Sequence, residues 1–340
     1  MACGIQSPPL PPRIERPVQI TDLSVTQQGR AFVLRFTLPV NATDGERLTK
    51  PLEIQIFRTV TPSVAPRAPA QGMSAPALTL SSDDLRKLGE SGKVDYFWRL
   101  SEQEYAATLG ETYAFAVRGL THGFRNRPLE GESSPTVSAT LLDVSGAPFD
   151  LRARTTEKAV VLTWVPGGNL LSGKPLPDFA EYRVFRSESG TPGSFASLAD
   201  TIAPTYSDAD FSFDRTYHYR VQALFKAGST EALSDHSATV EITPRDVFPP
   251  TVPRDVTAIY TAGAVEIVWT PSAEPDLAGY NVYRREAGGA ESRVNKELVR
   301  TPVFRDQTVQ PGHSYSYRVT AVDLTGNESA PSAEAAIETR

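Results

Sequence analysis

The chain has 340 residues, of which 40% are hydrophobic and 22% charged, so it can bury a core and is not a disordered polymer. Its net charge is −6 without any basic run, which gives a nucleic-acid partner little electrostatic support. No apolar stretch approaches the ~20 residues of a membrane-spanning helix, and 28 prolines scattered among β-branched and aromatic runs favour an all-β chain.

The N-terminal segment, residues 1–16, is predicted to be a proline-rich tether. Cys3 is the only cysteine, so no internal disulfide can form. The tripeptide around it, Ala-Cys-Gly, resembles the cleavage site of bacterial lipoproteins, although the charged and apolar parts of a signal peptide are missing. The resemblance implies a lipid on Cys3 as the sole membrane attachment. The alternative is an unpaired terminal thiol.

Three related units follow one another along the chain. In each, a second strand ends on a large aromatic residue 13 residues after an apolar residue of the first strand. The three pairs are Leu23 and Phe36, Leu151 and Trp164, and Val256 and Trp269. Since alternating apolar and polar residues predict a strand with one buried face, Trp164 and Trp269 are predicted core residues.

A third strand and a tyrosine motif complete the pattern. The third strands are 54–58, 182–186 and 280–284, and the motifs are Tyr113-Ala114-Phe115, Tyr217-His218-Tyr219 and Tyr315-Ser316-Tyr317. Both the step from Phe185 to Tyr217 and that from Tyr283 to Tyr315 are 32 residues. Short strands at matched spacings predict antiparallel sandwiches.

These motifs resemble the fibronectin type III family, most clearly in the third unit. There Trp269 precedes Tyr-Asn-Val-Tyr-Arg, and Pro311-Gly312 leads to Tyr315, which resembles the family's tyrosine corner. The resemblance implies an all-β chain of three tandem immunoglobulin-like (fibronectin type III) sandwiches, and a Tyr315 hydroxyl bonded to nearby backbone. The predicted domains are residues 17–142, with an insertion at 61–100, then 145–244 and 248–340.

The insertion is the main departure from the repeat. Phe57 and Tyr113 are 56 residues apart, 24 more than the 32 of the other units. The stretch 61–76 is rich in proline and alanine and is expected to be irregular. Short helices are predicted at 81–88 and after the capping box 101–104, with a strand at 94–99 between them.

The strand at 94–99 carries the densest aromatic run, Tyr96, Phe97 and Trp98, which is a candidate partner-binding site. The alternative is that alternation buries at least one of the three against the unit's own core. The joint 142–148 is expected to be looser than the proline-rich joint 244–253.

The sequence contains few candidates for a catalytic motif. The four histidines lack metal-ligand spacing, and the oxygen-rich segment 323–328 does not match a calcium loop and is predicted to be a turn. Arg58, Arg186 and Arg284 recur at one strand position and are expected on an exposed sheet face. The sequence therefore predicts neither a catalytic site nor a metal or cofactor.

Two functions are compatible with these features. The first is a non-enzymatic binding and spacer protein of the bacterial cell envelope, lipid-anchored through Cys3. The alternative is a non-catalytic accessory region of a secreted carbohydrate-active or proteolytic enzyme. Both predict a protein or polysaccharide partner, an elongated monomer and no nucleic acid.

Overall fold

A computed structural model describes residues 13–62, 75–88, 92–177, 181–228 and 230–340. In these ranges the chain is all-β and forms three tandem immunoglobulin-like sandwiches, with two short α-helices inserted in the first. No helix in this part of the chain has the length and apolarity to cross a bilayer. Cys3 and most of the predicted irregular stretch 61–76 lie outside the described residues.

In the part that the structure describes, the first sandwich has eight strands and two α-helices. In chain order they are β1 (Ser24–Gln28), β2 (Ala31–Thr37), β3 (Glu53–Thr61), β4 (Leu78–Leu80), α1 (Ser82–Leu88), β5 (Lys93–Arg99), α2 (Glu102–Ala107), β6 (Thr112–His122), β7 (Pro128–Glu130) and β8 (Val137–Thr140). One sheet has the order β4-β3-β6-β7, with β8 also paired to β6, and the facing sheet contains β1, β2 and β5. Both predicted helices and the strand between them are confirmed.

The second sandwich also has eight strands. They are β9 (Phe149–Thr155), β10 (Val160–Val165), β11 (Glu181–Ser187), β12 (Ala196–Thr201), β13 (Thr205–Asp208), β14 (Tyr217–Ala227), β15 (Thr230–Leu233) and β16 (Val240–Ile242). A three-stranded sheet, β13-β10-β9, packs against strands β11, β12, β14, β15 and β16. Trp164 is 5% exposed, as its position on the apolar side of β10 predicts.

The third sandwich has seven strands and is a compact unit of its own together with residues 155–158 and 211–215. Its strands are β17 (Arg254–Thr261), β18 (Ala264–Thr270), β19 (Leu277–Glu286), β20 (Ser292–Arg293), β21 (Val303–Asp306), β22 (Ser314–Asp323) and β23 (Ala335–Glu338). The sheet β17-β18-β21 faces β20-β19-β22-β23. Trp269 is buried, and the Tyr315 hydroxyl accepts the Gln310 N–H at 3.1 Å, as the tyrosine corner predicts.

A single sheet runs through the first and second sandwiches. Strand β1 pairs with β15 in parallel, with Gln27 opposite Ala232 and Gln28 opposite Leu233. The resulting eight-stranded sheet follows the order β12-β11-β14-β15-β1-β2-β5, with β16 also paired to β14. The edge of one sandwich is therefore covered by the other, which removes two exposed strand edges at once.

The segment between these two sandwiches is fixed by buried side chains. The Gln27 amide donates to the Leu142 carbonyl at 2.7 Å and accepts the Leu142 N–H at 2.8 Å. The Tyr105 hydroxyl, on α2, donates to the same carbonyl and accepts the Val144 N–H, both at 3.1 Å. The prediction of a looser joint at 142–148 is wrong. The side chains that fix this segment come from β1 and α2, so the local sequence of the joint does not reveal them.

The far side of this segment rests on the long loop between β10 and β11. Leu171 donates its N–H to the Val144 carbonyl at 2.8 Å, and the Ser172 N–H and hydroxyl both donate to the Asp143 carboxylate. The first sandwich repeats the arrangement with its own leading segment: Thr43 donates its N–H to the Arg16 carbonyl at 2.8 Å. In both sandwiches, the loop between the second and third strands therefore holds the chain that enters the sandwich.

Replacing Tyr105 with Phe is expected to lower the free energy of unfolding by ~1–3 kcal/mol, because the buried Val144 N–H loses its acceptor. Urea unfolding of the intact chain measures the change. Tyr96→Phe is the matched control, since the Tyr96 hydroxyl makes no hydrogen bond among the described residues, and its effect should stay below ~0.5 kcal/mol. Equal effects of the two substitutions would show that α2 does not hold the joint.

Candidate binding surfaces

The four histidines lie apart, each with different surroundings. His122 approaches Glu53 at 3.9 Å, and His218 and His313 pair with Glu241 and Glu286. His236 lies where the first two sandwiches meet, near Arg35 of β2 and Arg220 of β14. Among the described residues the histidines form neither a metal site nor a nucleophile-base pair.

Three carboxylates of the third sandwich come close together. Those of Asp246, Asp276 and Asp323 have oxygens within 4.8 Å of one another. The Asp323 oxygens are already used, because they accept the N–H groups of Thr325 and Asn327 at 2.9 and 2.8 Å and the Asn327 amide at 2.8 Å. The predicted turn at 323–328 is confirmed, and Asp323 caps it from within.

The aromatic run of the insertion is divided between the two faces of β5. Tyr96 and Trp98 are half-buried and pack on the core of the first sandwich. Phe97 points the other way, lies opposite Val33 of β2 and is exposed. As a partner-binding site the run stays a prediction, and the geometry leaves Phe97 as the member best placed to reach a partner.

A buried carboxylate stands between an arginine and a tyrosine in the second and third sandwiches. Asp208 accepts hydrogen bonds from the Tyr219 hydroxyl at 2.8 Å and from the Arg186 guanidinium at 2.9 Å. Asp306 does the same with Tyr317 at 2.9 Å and Arg284 at 2.8 Å. Burial and the adjacent carboxylate raise the pKa of both tyrosines.

The expectation that these arginines lie on an exposed face is therefore wrong. The side chains of Arg186 and Arg284 are only 20% and 21% exposed. Each guanidinium also lies over the first tyrosine of the motif, Tyr217 or Tyr315, at 5.4 and 5.2 Å from the ring centre. Strand alternation alone could not reveal this, because the carboxylate partner comes from a strand about 20 residues further along the chain.

The first sandwich replaces this network by aromatic packing. Trp98 lies opposite Phe32 on β2, at the register position that Asp208 and Asp306 hold in the other two. Trp98 packs on Phe115 at 6.0 Å, and the Arg58 guanidinium lies 4.8 Å above the Trp98 ring. The negative partner of Arg58 is now Glu104 of α2, at 2.7 Å. Helix α2, which directly follows the insertion, therefore supplies the charge that the strand has lost.

One exposed group is absent from the sequence-based predictions. The hairpin between β6 and β7 ends in Phe124, Arg125, Asn126 and Arg127, all exposed. The local sequence does hold a signal for this group, because an aromatic residue among arginines at a turn has no packing role there. The pattern of strands does not predict which turn projects into solvent, so this signal alone does not locate the group.

The comparisons relate parts of the chain to glycan-active enzymes. It is 28% identical over 275 residues to Exoglucanase B of Cellulomonas fimi, covering 77% of this chain and 24% of that protein. It is 32% identical over 183 residues to Endoglucanase B of Cellulomonas fimi, covering 52% and 16%. It is 36% identical over 86 residues to Amylopullulanase of Thermoanaerobacterium saccharolyticum, covering 25% and 6%. The chain thus spans about a quarter or less of the length of these relatives.

No family model matches the chain. A solved structure of the chicken CNTN1 FN1-FN3 domains aligns with 95% of this chain and 99% of its own length at 16% identity. Its TM-score is 0.28, which is too low for the likeness to support a conclusion about this chain.

Asp208→Ala is expected to cost ~3–5 kcal/mol in unfolding free energy, because it leaves the Tyr219 hydroxyl buried without its acceptor and removes the buried counter-charge of Arg186. The control is Asp210→Ala. The Asp210 carboxylate also pairs with Arg186, at 3.2 Å, but its side chain is 92% exposed, so its loss should cost under ~1 kcal/mol. Denaturant unfolding compares the two variants, and similar losses would contradict the assigned burial.

His236 is expected to make stability depend on pH. Its ring meets Phe185 at 5.6 Å with a buried, unbonded Nδ1, and Arg220 of β14 and Arg35 of β2 lie nearby together with Asp235. Burial, reinforced by the two arginines, lowers the pKa of His236 from 6.5 to about 4. Between these values the unfolded chain binds more protons, so stability is full above pH 6.5 and falls as the pH drops to about 4.

The loss on acidification should reach ~2–3 kcal/mol. Thermal unfolding of the wild type and His236→Gln between pH 7 and pH 4 tests this, and the variant should lose part of the pH dependence. His218→Gln, which removes the partner of Glu241 on the same sheet, should retain it. If His236→Gln follows the wild-type curve throughout, the neutral buried histidine is not the cause.

Proposed function

We propose that this chain is a non-catalytic accessory region that works beside a glycan-degrading activity, as a binding and spacer array. The main support is that similar proteins are named as exoglucanase, endoglucanase and amylopullulanase, while this chain matches only a small share of each. The described residues contain sandwich cores, capped turns and scattered histidines rather than a group arranged for hydrolysis. A β-sandwich fold is compatible with many functions, so the assignment to a glycan-degrading system rests on the similar proteins.

The rigid joint of the first two sandwiches supports a spacer role. Pairing of β1 with β15 and the Gln27 and Tyr105 hydrogen bonds fix the chain between them. A spacer that keeps its own segments at a fixed geometry loses less entropy when both ends are engaged than a flexible linker does. The binding part of the role is expected on projecting turns, which a rigid sheet holds in place.

The reading frame that encodes this chain tests the accessory role. We expect the full reading frame, or the mature polypeptide made from it, to include a glycosidase domain. The isolated chain should release no reducing sugar from cellulose or starch under conditions in which an added glucanase does. Hydrolysis by the purified chain, or a reading frame with no glycosidase domain, would overturn the proposal.

A second candidate is an envelope spacer anchored by a lipid on Cys3, favoured by the Ala-Cys-Gly tripeptide. Growth of the native host with a fatty-acid probe should label the wild-type protein and leave Cys3→Ala unlabelled. An unlabelled wild type that fractionates away from membranes would contradict the anchor. The two roles are compatible, since a lipid anchor fixes the location and not the ligand.

A further inference from the structure

We infer that the hairpin tip formed by Phe124, Arg125, Asn126 and Arg127 is a binding site for acidic polysaccharide, in which guanidinium groups pair with uronate carboxylates and the phenyl ring packs on a sugar face. The inference rests on the proposed function, because the relatives' glycan activities favour a glycan over other anionic chains. It names a surface of this chain that the spacer role alone does not require.

The backbone of the tip is tightly defined. Gly123 donates its N–H to the Arg127 carbonyl at 2.7 Å, and Arg127 donates its N–H to the Phe124 carbonyl at 3.4 Å. Arg125 and Asn126 both have positive φ, 55° and 58°. This is the left-handed pair of a two-residue hairpin turn, for which Asn-Gly is the preferred sequence. An arginine in the first central position therefore disfavours the turn.

The equivalent hairpins of the other sandwiches use glycine instead. Gly228 lies between β14 and β15 with φ of 60°, and Gly326 lies in the turn after β22 with φ of 94°. Glycine adopts this conformation without steric cost. The first sandwich has thus replaced an easy turn residue with a long cationic one, which turn stability does not explain.

Packing does not explain the tip either. Phe124 is 76% exposed, and the Arg125 guanidinium lies over its ring at 5.4 Å. Apart from that contact, neither Arg125 nor Arg127 has a side-chain hydrogen bond or ion pair among the described residues. The nearest acid on the hairpin, Glu130, is held by Arg118 at 2.9 Å. Two positive charges and an aromatic face therefore project together without an internal partner.

The chemistry of this group favours a carboxylated sugar chain. Guanidinium forks pair bidentately with carboxylates, and an exposed aromatic ring offers an apolar surface to the C–H face of a pyranose. The chain as a whole has a net charge of −6, so its overall charge does not attract an anionic polymer and any attraction at this tip is local. A neutral glucan would use the ring and offer hydroxyl acceptors to the arginines, but it would give the two positive charges no counter-charge.

Affinity electrophoresis of the full chain in gels containing polygalacturonate tests the site. We expect retardation that weakens with added salt and falls roughly tenfold in Phe124→Ala and in the double variant Arg125→Ala/Arg127→Ala, as for loss of a binding anchor. Leu324→Ala is the matched control, because Leu324 is a similarly exposed residue, 75%, in the corresponding turn of the third sandwich. Its retardation should match the wild type.

A second variant separates binding from folding. Phe124→Ser/Arg125→Asn/Asn126→Gly/Arg127→Ser installs a preferred turn sequence on the same hairpin. Its thermal midpoint should equal or exceed that of the wild type, while its retardation should disappear. Undiminished retardation of this variant would overturn the site.

Binding of other ligands tests which class of molecule the tip recognises. Fully methyl-esterified polygalacturonate should not retard the chain, since its carboxylates are neutral, and equal retardation would overturn the role of the arginines. Poly-glutamate or anionic vesicles bound as tightly, with the same loss in the tip variants, would show that the tip recognises negative charge alone and that the glycan assignment is wrong. A reading frame without a glycosidase domain together with tip-dependent polygalacturonate binding would overturn the proposed function and leave this site standing.

Discussion

The parallel pairing of β1 with β15 is the constraint on which the first two sandwiches depend. It makes an edge strand of one sandwich the neighbour of an edge strand of the other, so that a single sheet runs through both. The joining segment must then pass close to β1, α2 and the loop after β10. Each of these contributes a hydrogen bond to it, from Gln27, Tyr105 and Leu171.

The insertion in the first sandwich gains a structural explanation from this arrangement. Helix α2, which directly follows it, presents Tyr105 to the joint and Glu104 to Arg58. One short helix therefore serves the connection between sandwiches and also replaces the buried carboxylate that the other two sandwiches use. The replacement keeps the arginine half-buried in all three, and in the first its guanidinium lies over the Trp98 ring as well as over the ring of Tyr113.

The residues that stabilise the fold differ from those offered to a partner in whether their polar groups already have hydrogen-bond partners within the sandwich. The carboxylates of Asp208, Asp306 and Asp323 are saturated by hydrogen bonds from their own sandwich. Buried groups of this kind stabilise the fold and offer nothing to a ligand. The projecting tip at 124–127 has the opposite character, since its side chains extend into solvent from a hairpin whose backbone is held by its own hydrogen bonds.

The sequence alone determined the all-β fold class and the local elements. Matched spacings located Trp164 and Trp269 in the cores, the capping residues located both helices, and the approach to Tyr315 located the corner, because these features depend on residues near one another in the chain. Only the tertiary structure decided that Arg186 pairs with a buried Asp208, that Tyr96 and Trp98 face inward while Phe97 faces out, and that β1 meets β15. Each of these contacts joins residues from different strands, and the register and facing of two sheets are set by packing across the whole sandwich, which no local pattern contains.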